Sequence, residues 1–586
     1  MGKLGFTKGK VNLKNRKEAR VTHEGGLAFA PSTPTAKLIH TVGSYFGEPG
    51  FYPDRPESPS KFYNAGVLDE KGRNIVDAAV EVATSEEPED LLRIALWARK
   101  DLRTRLVPQI LLAVAARYIK SNNGKENPIA RYVPKICSRA DDVKQLWAIY
   151  NALFGSKSST THTQYYKAKL PRGLVRGIAL ALNSYNDYSL VKYNNTSSHP
   201  TFKDVLLGIK PKGRGIDVPA RLRKGDGFPV SKGMFEYLVN GKITEEAPPL
   251  LKARQQFFKL SKTTPINDEL EALVKSAGLT WENLVSHLGS DKDKARQKAV
   301  WALAFKLMPY MAKLRNLRNA LESKVPNVAE ISKQLSNKEA VLNSKQLPFR
   351  FLSAYREVTK VTGVDRLDAN AVAQNISNAL DVSVANIREI PGRTAVFVDN
   401  SGSMDQAVSQ KSSLQCRDAG NVLGALIYRV TENAIVMPFG NMPVQANLLK
   451  NGAVLSNAKE IANHQRTHGW GTNIETCINY LTDNNINVDR IIILTDNESR
   501  GTPARALRKY RSKFGNNTYY HGINLAASAY AVTPSTDPKV NLVSGFSEKI
   551  IDTILDFENN VSNNVNLPTL LEIRRKFTVM PLSVGQ

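Results

Sequence analysis

A polar segment follows a run of β-favouring residues directly in Thr394-Ala-Val-Phe-Val-Asp-Asn-Ser-Gly-Ser-Met404. This pattern predicts a buried strand that ends abruptly in a loop. The loop presents a carboxylate at Asp399 and hydroxyls at Ser401 and Ser403, without sulfur or imidazole. Oxygen ligands of this kind suit hard cations, and Mg²⁺ combines a few of them with several water molecules. We therefore expect Mg²⁺ or another divalent cation at this loop.

Two later segments supply further oxygen ligands for the same site. One of them, Gly469-Trp-Gly-Thr-Asn473, places Thr472 at the start of a helical pattern. The other is a second apolar strand, Arg490 to Thr495, which runs into Asp496. Because ligands gather at the carboxyl ends of the strands in an open parallel sheet, we expect these side chains to meet. The alternative is that the hydroxyls only cap helices and turns.

The order of these five residues resembles the metal-ion-dependent adhesion site of von Willebrand factor A domains. The resemblance implies that Ser401, Ser403 and Thr472 bind the metal directly. It implies that Asp399 and Asp496 bind it directly or through water. One coordination position would then be left for water or for an acidic group of a partner.

Strand and helix patterns alternate through residues 385–560, which predicts a mostly parallel, doubly wound α/β sheet with helices on both faces. The predicted strands are Thr394–Val398, Ala434–Phe439, Ile491–Thr495 and Thr518–Ile523, and the predicted helices are Ser412–Val430, Asn473–Leu481, Pro503–Phe514 and Ser547–Asp556. Residues 561–586 are assigned to a C-terminal tail, in which Leu570–Lys576 is predicted to form a short helix.

Residues 26–384 carry a helical pattern almost throughout. Apolar residues recur three to four positions apart in segments such as Leu106–Tyr118 and Ala140–Phe154. Many helices of ~10–16 residues in pairs predict an α-solenoid of HEAT-like type. Residues 1–25 form a basic arm for which disorder in the free protein is expected. A chain of 586 residues is also long enough for more than one domain.

The charge of the chain is distributed unevenly. The formal net charge is +26, from 80 Lys and Arg against 54 Asp and Glu. Residues 385–560 are nearly balanced, with 17 basic and 16 acidic side chains, so the excess lies in the helical part. A basic surface of this size predicts a polyanionic partner, and in the cytosol that is nucleic acid first.

Composition also bears on the compartment. We find no run of ~18 apolar residues and no signal-peptide pattern, so no membrane span or export is expected. Cys137, Cys416 and Cys477 lie far apart in the sequence, which fits a reducing compartment. The sequence therefore predicts a cytoplasmic protein.

A closer resemblance lies after the second apolar strand, in Ile493-Leu-Thr-Asp-Asn-Glu-Ser-Arg-Gly-Thr-Pro-Ala-Arg-Ala-Leu-Arg-Lys-Tyr-Arg511, which is similar to the A domain of the Ro autoantigen (TROVE) family. Segments at Glu24–Phe29, Leu170–Leu174, Tyr188–Tyr193 and Phe202–Leu206 follow in family order, so the resemblance covers roughly residues 24–556. One departure is Phe202, which stands where members of the family can carry a His.

The family resemblance implies a ring of HEAT-like helical repeats closed by the A domain, acting as a monomer. Misfolded or unprocessed small RNAs would thread a single-stranded end into the central hole, and Y RNAs would bind the outer basic surface. An exoribonuclease or another protein would be a further partner, bound through the A domain. The resemblance implies no enzymatic activity of the chain itself.

Basic side chains that cluster with aromatic residues are the candidate RNA contacts. Such side chains bind phosphates with little sequence preference, and aromatic rings stack on exposed bases. The candidates are Lys167, Lys169, Arg172, Arg176, Lys203, Lys210, Lys212 and Arg214. For each one alone, a solvated surface charge is an equally good interpretation.

Other classes of function stay open. One is a metal-dependent protein–protein adaptor, in which the α/β domain grips a carboxylate of its partner and the helices are a scaffold. A metal-dependent nuclease is a more distant alternative, because the site has too few carboxylates for a two-metal arrangement. His464 and His468 are four residues apart, but Gln465 stands where a zinc protease would need Glu.

Overall fold

The structure is a computed structural model of the chain. It describes residues 19–21, 27–29, 34–35, 38–39, 42, 70–84, 87–102, 104–119, 127–154, 170–194, 200–209, 230–289, 293–408, 414–464, 469, 471–497, 499–500, 503–515, 517–526, 537, 539–544, 549–562 and 570–579.

The N-terminal two thirds of the described chain is helical. The helices are α1 Glu70–Ala83, α2 Asp90–Lys100, α3 Leu106–Tyr118, α4 Ile129–Ile136, α5 Ala140–Phe154, α6 Arg172–Ser184, α7 Asp187–Lys192, α8 Phe202–Ile209, α9 Lys232–Asn240, α10 Pro249–Phe258, α11 Asp268–Ser276, α12 Trp281–Leu288, α13 Lys294–Leu307, α14 Tyr310–Glu322, α15 Val328–Leu335, α16 Lys338–Ser344, α17 Pro348–Thr359 and α18 Arg366–Ser383. These helices pack mainly on neighbours within three positions along the chain, which is the arrangement of an α-solenoid.

A short β-hairpin precedes the helices. Its strands, β1 (Ala19–Val21) and β2 (Leu27–Phe29), pair antiparallel. The hairpin spans the expected boundary between the basic arm and the helical domain at residues 25 and 26. Residues 1–18 of the predicted arm lie outside the described residues.

A five-stranded sheet with helices on both faces follows the last solenoid helix. Its strands are β3 Ile390–Asp399, β4 Thr431–Phe439, β5 Arg490–Thr495, β6 Tyr519–Asn524 and β7 Val540–Ser544, and the helices are α19 Cys416–Val430, α20 Val454–Asn463, α21 Ile474–Asp483, α22 Pro503–Phe514 and α23 Lys549–Ser562. The strand order is β4-β3-β5-β6-β7, and all neighbours are parallel. The predicted fold class, an α-solenoid joined to a doubly wound α/β domain, is confirmed.

Three hydrophobic cores hold the described residues together. The first runs through α1–α9 and ends at Leu251 in α10. The second begins at Phe257 in the same helix and continues through α18 onto one face of the sheet, where it includes Val396 and Leu494. The third fills the other face of the sheet, around Phe397 and Tyr510. Helix α10 therefore bridges the two cores of the solenoid, and the second core joins the solenoid to the sheet.

The C-terminal segment is not a separate tail. Helix α23 continues to Ser562, beyond the expected domain boundary at residue 560. A last helix, α24 (Leu570–Phe577), packs on α2 near the beginning of the solenoid. Its residues Ile573 and Phe577 belong to the first core. The predicted helix Leu570–Lys576 is thus confirmed, but it serves the helical domain. No helix among the described residues has the length and apolar character that a membrane crossing requires.

Candidate metal centre and basic surface

The two strands that carry the candidate carboxylates are neighbours in the sheet. Strand β3 pairs with β4 on one side and with β5 on the other, so the chain reverses its direction of winding at β3. The crevice at the carboxyl ends of β3 and β5 is therefore the topological switch point. Asp399 is the last residue of β3, and Asp496 directly follows β5.

Hydrogen bonds fix the loop after β3. One oxygen of Asp399 accepts the backbone N–H of Ser401 at 2.9 Å, and the other accepts the hydroxyl of Thr495 at 2.7 Å. The hydroxyls of Ser401 and Ser403 lie 3.2 Å apart. Asp399 and Ser401 are buried, whereas Ser403 is exposed at the mouth of the site. The structure thus brings the three loop residues into one cluster of oxygen atoms.

The two carboxylates lie close enough to influence each other. Burial, and then the negative charge of Asp496, raise the pKa of Asp399 to about 7. Gln406 donates its side-chain N–H to Asp496 at 3.2 Å. Two adjacent buried carboxylates repel each other, and a cation between them would remove that repulsion. The donor set of carboxylates and hydroxyls therefore fits a hard divalent cation.

Thr472 is brought to the same edge of the sheet. The N–H of Asn473 donates to the carbonyl of Gly440 after β4, at 3.1 Å. The N–H of Arg500, after β5, donates to the carbonyl of Thr472 at 2.9 Å. Thr472 is buried between these two segments, with 2% of its surface exposed. In the first turn of α21, burial and then the charge of Asp399 raise the pKa of Cys477.

Three residues of the site were not predicted. Thr495 follows Leu494, which pairs with Val398 of β3, and its hydroxyl donates to Asp399, so this contact depends on the strand register and carries no signal in the sequence. Gln406 carries no recognisable signal. Asn497 adopts a left-handed conformation with φ 66°, which Asn tolerates better than most residues and which turns the chain directly after Asp496.

Metal sites of other chemistry find no support in the described part of the chain. It contains no group of three or more His, Cys, Asp or Glu side chains placed to hold a metal ion. His464 contacts Glu460, with 3.3 Å between its Nε2 and the carboxylate, whereas His468 lies outside the described residues. Cys137, Cys416 and Cys477 are buried thiols that form no disulfide bond among the described residues.

The structure describes only part of the predicted RNA surface. Five of the candidates, Lys167, Lys169, Lys210, Lys212 and Arg214, lie outside the described residues. Arg172, the first residue of α6, is exposed, and Arg176 one turn later is half-buried. Lys203 is exposed in the first turn of α8.

Phe202, the departure from the family pattern, is a core residue. It opens α8 and has none of its surface exposed. The ammonium group of Lys144 lies 5.0 Å from the centroid of its ring. Phe202 therefore supports the fold at this position and offers no surface to a ligand.

These features define the class of protein. A parallel sheet with an Asp-x-Ser-x-Ser loop at its switch point is a von Willebrand factor A-type domain, here joined to an α-solenoid. The description "Ro60 vWA domain" matches residues 393–558, and the TROVE domain matches residues 255–423. Together they extend over more than half of the chain, which belongs to the Ro (TROVE) family.

Individual relatives are distant in sequence. The RNA-binding protein RO60 of Caenorhabditis elegans is 24% identical over 330 residues, which are 54% of this chain and 49% of that protein. Telomerase protein component 1 of Rattus norvegicus is 22% identical over 342 residues, which are 52% of this chain but only 12% of that protein. The chain thus spans half or less of the length of these curated relatives.

A solved structure shows the same fold over most of the chain. The crystal structure of the Deinococcus radiodurans RO (RSR) protein superimposes with a TM-score of 0.63 at 18% sequence identity. The match covers 89% of this chain and 100% of that one. The arrangement of solenoid and A domain is therefore shared by both proteins.

Proposed function

We propose that this protein binds small RNA on the positive surface of its helical domain and holds one divalent cation at the switch point of its A domain. The observation that carries the proposal is the separation of charge between the two domains. Of the formal charge of +26, the α/β domain contributes almost none. The C. elegans relative is described as an RNA-binding protein, which supports the same ligand class.

The positions of two exposed cations also favour a polyanion. Arg172 and Lys203 lie in the first turns of α6 and α8. A positive side chain is unfavourable there, because the amino-terminal end of a helix already carries a partial positive charge. Phosphate groups are favoured at such ends, and they would relieve this repulsion. Together with the half-buried Arg176, these two side chains are the described part of the proposed RNA surface.

We extend the proposal to the path of the RNA. Small non-coding RNAs, Y-type or misfolded, would bind by their structured parts on the outside, and a free end would pass through a ring formed by the solenoid and the A domain. The packing of α24 on α2 supports a closed arrangement, since it connects the end of the A domain with the beginning of the solenoid. No catalytic step is part of the proposal, and the three buried cysteines, which are thiols and not disulfides, support a cytoplasmic location.

The RNA proposal is tested by the salt dependence of binding. Fluorescence anisotropy with a labelled hairpin RNA that has a single-stranded 3′ end should show a steep loss of affinity between low and moderate salt. Replacing Arg172 and Lys203 by Ala should lower the slope of log Kd against log salt by about 0.7–0.9 for each lost phosphate contact. The RNA should stay intact with added Mg²⁺.

Arg318→Ala is the matched control for charge. This exposed arginine of α14 already pairs with Glu322 and Glu357, at 3.0 Å each, so its removal should leave the slope unchanged. An affinity that hardly changes with salt in the wild-type protein would contradict the proposal.

The cation is tested by thermal unfolding. Saturating Mg²⁺ or Mn²⁺ should stabilise the protein by about 2.7 kcal/mol at one hundred times Kd. Asp399→Asn should abolish this gain, whereas Asp489→Asn should keep it, because Asp489 lies at the opposite end of the sheet and pairs with Arg393. Equal metal-induced shifts in both variants would disprove the assignment.

One observation favours a protein partner as an alternative. Met442, Val444 and Leu449 are exposed in the segment after β4, and Met442 lies next to the carboxyl end of that strand. They would suit an adaptor that binds an exoribonuclease or another protein through an acidic group and apolar contacts. Protein purified from its natural cells would then carry no RNA, and its ratio of absorbance at 260 and 280 nm would be that of protein alone.

A further inference from the structure

Aromatic rings and cations alternate along one surface of the solenoid. The members, which we call the stacking row, are Arg139, Tyr193, Lys192, Tyr188, Arg254 and Phe258. They come from the segment before α5, from α7 with the residue that follows it, and from α10. The row therefore crosses helices that are distant in sequence, up to the helix that bridges the two cores.

Short distances connect the members of the first half. The guanidinium carbon of Arg139 lies 4.9 Å from the centroid of the Tyr193 ring. The ammonium group of Lys192 lies 5.5 Å from the ring of Tyr193 and 5.5 Å from the ring of Tyr188. These are cation–π distances, so one cation is shared by two rings.

Gly278 connects the two halves of the row. A Cβ atom at Gly278 would lie 2.8 Å from Cδ2 of Tyr188, so the tyrosine ring rests on this glycine. Arg254 donates to the carbonyl of the same Gly278 at 3.4 Å and to that of Ala277 at 3.3 Å. Its guanidinium carbon lies 5.6 Å from the centroid of Phe258. The row is therefore continuous from Arg139 to Phe258.

Two of the rings are turned towards solvent. Tyr188 is 39% exposed and Phe258 is 45% exposed, and no other aromatic side chain of the described residues is as open. Exposed large apolar groups that share one patch are typical of a binding site. The two most exposed aromatic side chains of the described residues therefore both belong to the stacking row.

The positive charge around the row favours a negatively charged ligand. Residues 249–266, which include α10, contain four Lys and Arg and no Asp or Glu. Lys192 is exposed beside Tyr188, although Asp187 opens the same helix. A ligand that offers flat apolar faces joined by negative groups complements such a surface. A base-paired segment hides the faces of its bases, so the complementary form is a single strand.

We propose that the stacking row binds unpaired bases of single-stranded RNA, with Tyr188 and Phe258 as the stacking rings and Lys192 and Arg254 beside the phosphates. The inference rests on the proposed function, since it assigns a binding site for the unpaired part of the RNA. It places that site between α7 and α10, at the junction of the two solenoid cores.

The test compares two labelled probes in fluorescence anisotropy. One is an oligouridine of about a dozen nucleotides, and the other has the same backbone with abasic positions in its centre. Wild-type protein should bind the oligouridine more tightly. Tyr188→Ala and Phe258→Ala should each weaken its binding by about 5-fold to 150-fold, with an unchanged salt slope. Tyr188→Trp and Phe258→Trp should retain the affinity.

Leu367→Ala is the control for loss of an exposed apolar side chain, because Leu367 in α18 is 82% exposed and lies far from the row in sequence. The double alanine variant should bind both probes equally, and its thermal midpoint should match that of Leu367→Ala. Preference for the oligouridine in the double variant would overturn the inference and leave the rings as a protein-docking surface. The proposed function would survive that result if the salt slope still depends on Arg172 and Lys203. Wild-type protein that binds neither probe nor hairpin RNA would overturn both.

Discussion

Glu558 shows how a single buried charge ties the sheet of the A domain to its last helix. From α23 it accepts two hydrogen bonds from Arg490 of β5, both at 2.7 Å, and lies 2.8 Å from Nε2 of His521 in β6. Burial alone would raise the pKa of Glu558, but the hydrogen bonds from Arg490 and His521 outweigh it and lower the pKa to about 2. The carboxylate is therefore held charged by two strands.

This arrangement predicts the response of the A domain to acid. Because the folded-state pKa lies below the ordinary value of 4.5, Glu558 stabilises the protein above pH 4.5, and this stabilisation is lost as the pH falls towards 2. Glu558→Gln should lower the free energy of unfolding by about 3 kcal/mol at neutral pH. Urea unfolding at several pH values should show the difference between wild type and variant shrinking in acid. A difference independent of pH would contradict the ion-pair explanation.

At the scale of single residues, the sequence predicts the position of a side chain when that position follows from the pattern of the neighbouring residues. Asp399 and Asp496 each end an apolar run, so their place at the sheet edge follows from the strand pattern alone. Glu558 carries no such signal, because its partners lie 68 and 37 residues away and are joined to it only by the order of the strands. Long-range pairing of this kind requires the topology first.

Among the single elements, helix α19 packs unusually closely on strand β3. It crosses β3 so closely that a Cβ atom at Gly424 would lie 2.7 Å from Cγ2 of Val398 and 3.5 Å from Cδ1 of Ile461. The absence of a side chain lets the helix approach the strand directly behind Asp399. This close contact fixes the strand that carries the cation loop.

Enlarging Gly424 should therefore cost stability. Gly424→Val should lower the free energy of unfolding by about 1–3 kcal/mol through overpacking. Val398→Ala should reduce that cost in a double-mutant cycle, because it opens the space that the new side chain needs. Denaturant unfolding of the four proteins measures the coupling. Strictly additive effects would mean that the two positions do not touch.

Helices and strands in which apolar residues recur with a regular period were predicted well, and those in which the period is interrupted were missed. Helices α3, α5 and α22 have the predicted bounds because apolar residues mark a continuous face along each of them. Helix α20 was not predicted, since Asn and Ser interrupt its apolar face and read as turn signals. Strand β7, with five residues and a polar residue in second place, was also missed, because its position is set by pairing with β6.

At the scale of the whole molecule, the packing of α24 on the solenoid was not predicted from the order of the domains in the sequence. Arg574 donates two hydrogen bonds, at 2.9 and 2.6 Å, to Asp90 of α2, which is 1% exposed. The hydroxyl of Tyr132 in α4 donates to the carbonyl of Phe577 at 3.2 Å. The last described helix therefore packs on the first helices of the solenoid. A division of the chain into consecutive domains does not predict this contact.

Disrupting this contact should loosen the solenoid and leave the A domain intact. Phe577→Ala should cost about 3–5 kcal/mol of local stability, because the ring fills part of the first core. Hydrogen exchange should then rise in α2–α4 and stay unchanged in β3 and β5. Lys576→Ala is the control, since its exposed pair with Asp101 is worth at most about 1 kcal/mol. Faster exchange throughout the sheet would refute this division.

The docking of α24 has a consequence for synthesis of the protein. The core of the first helices lacks Ile573 and Phe577 until more than five hundred residues have left the ribosome. Domains generally fold in the order in which they are made. Helices α2 and α4 can therefore complete their packing only after α24 has been made.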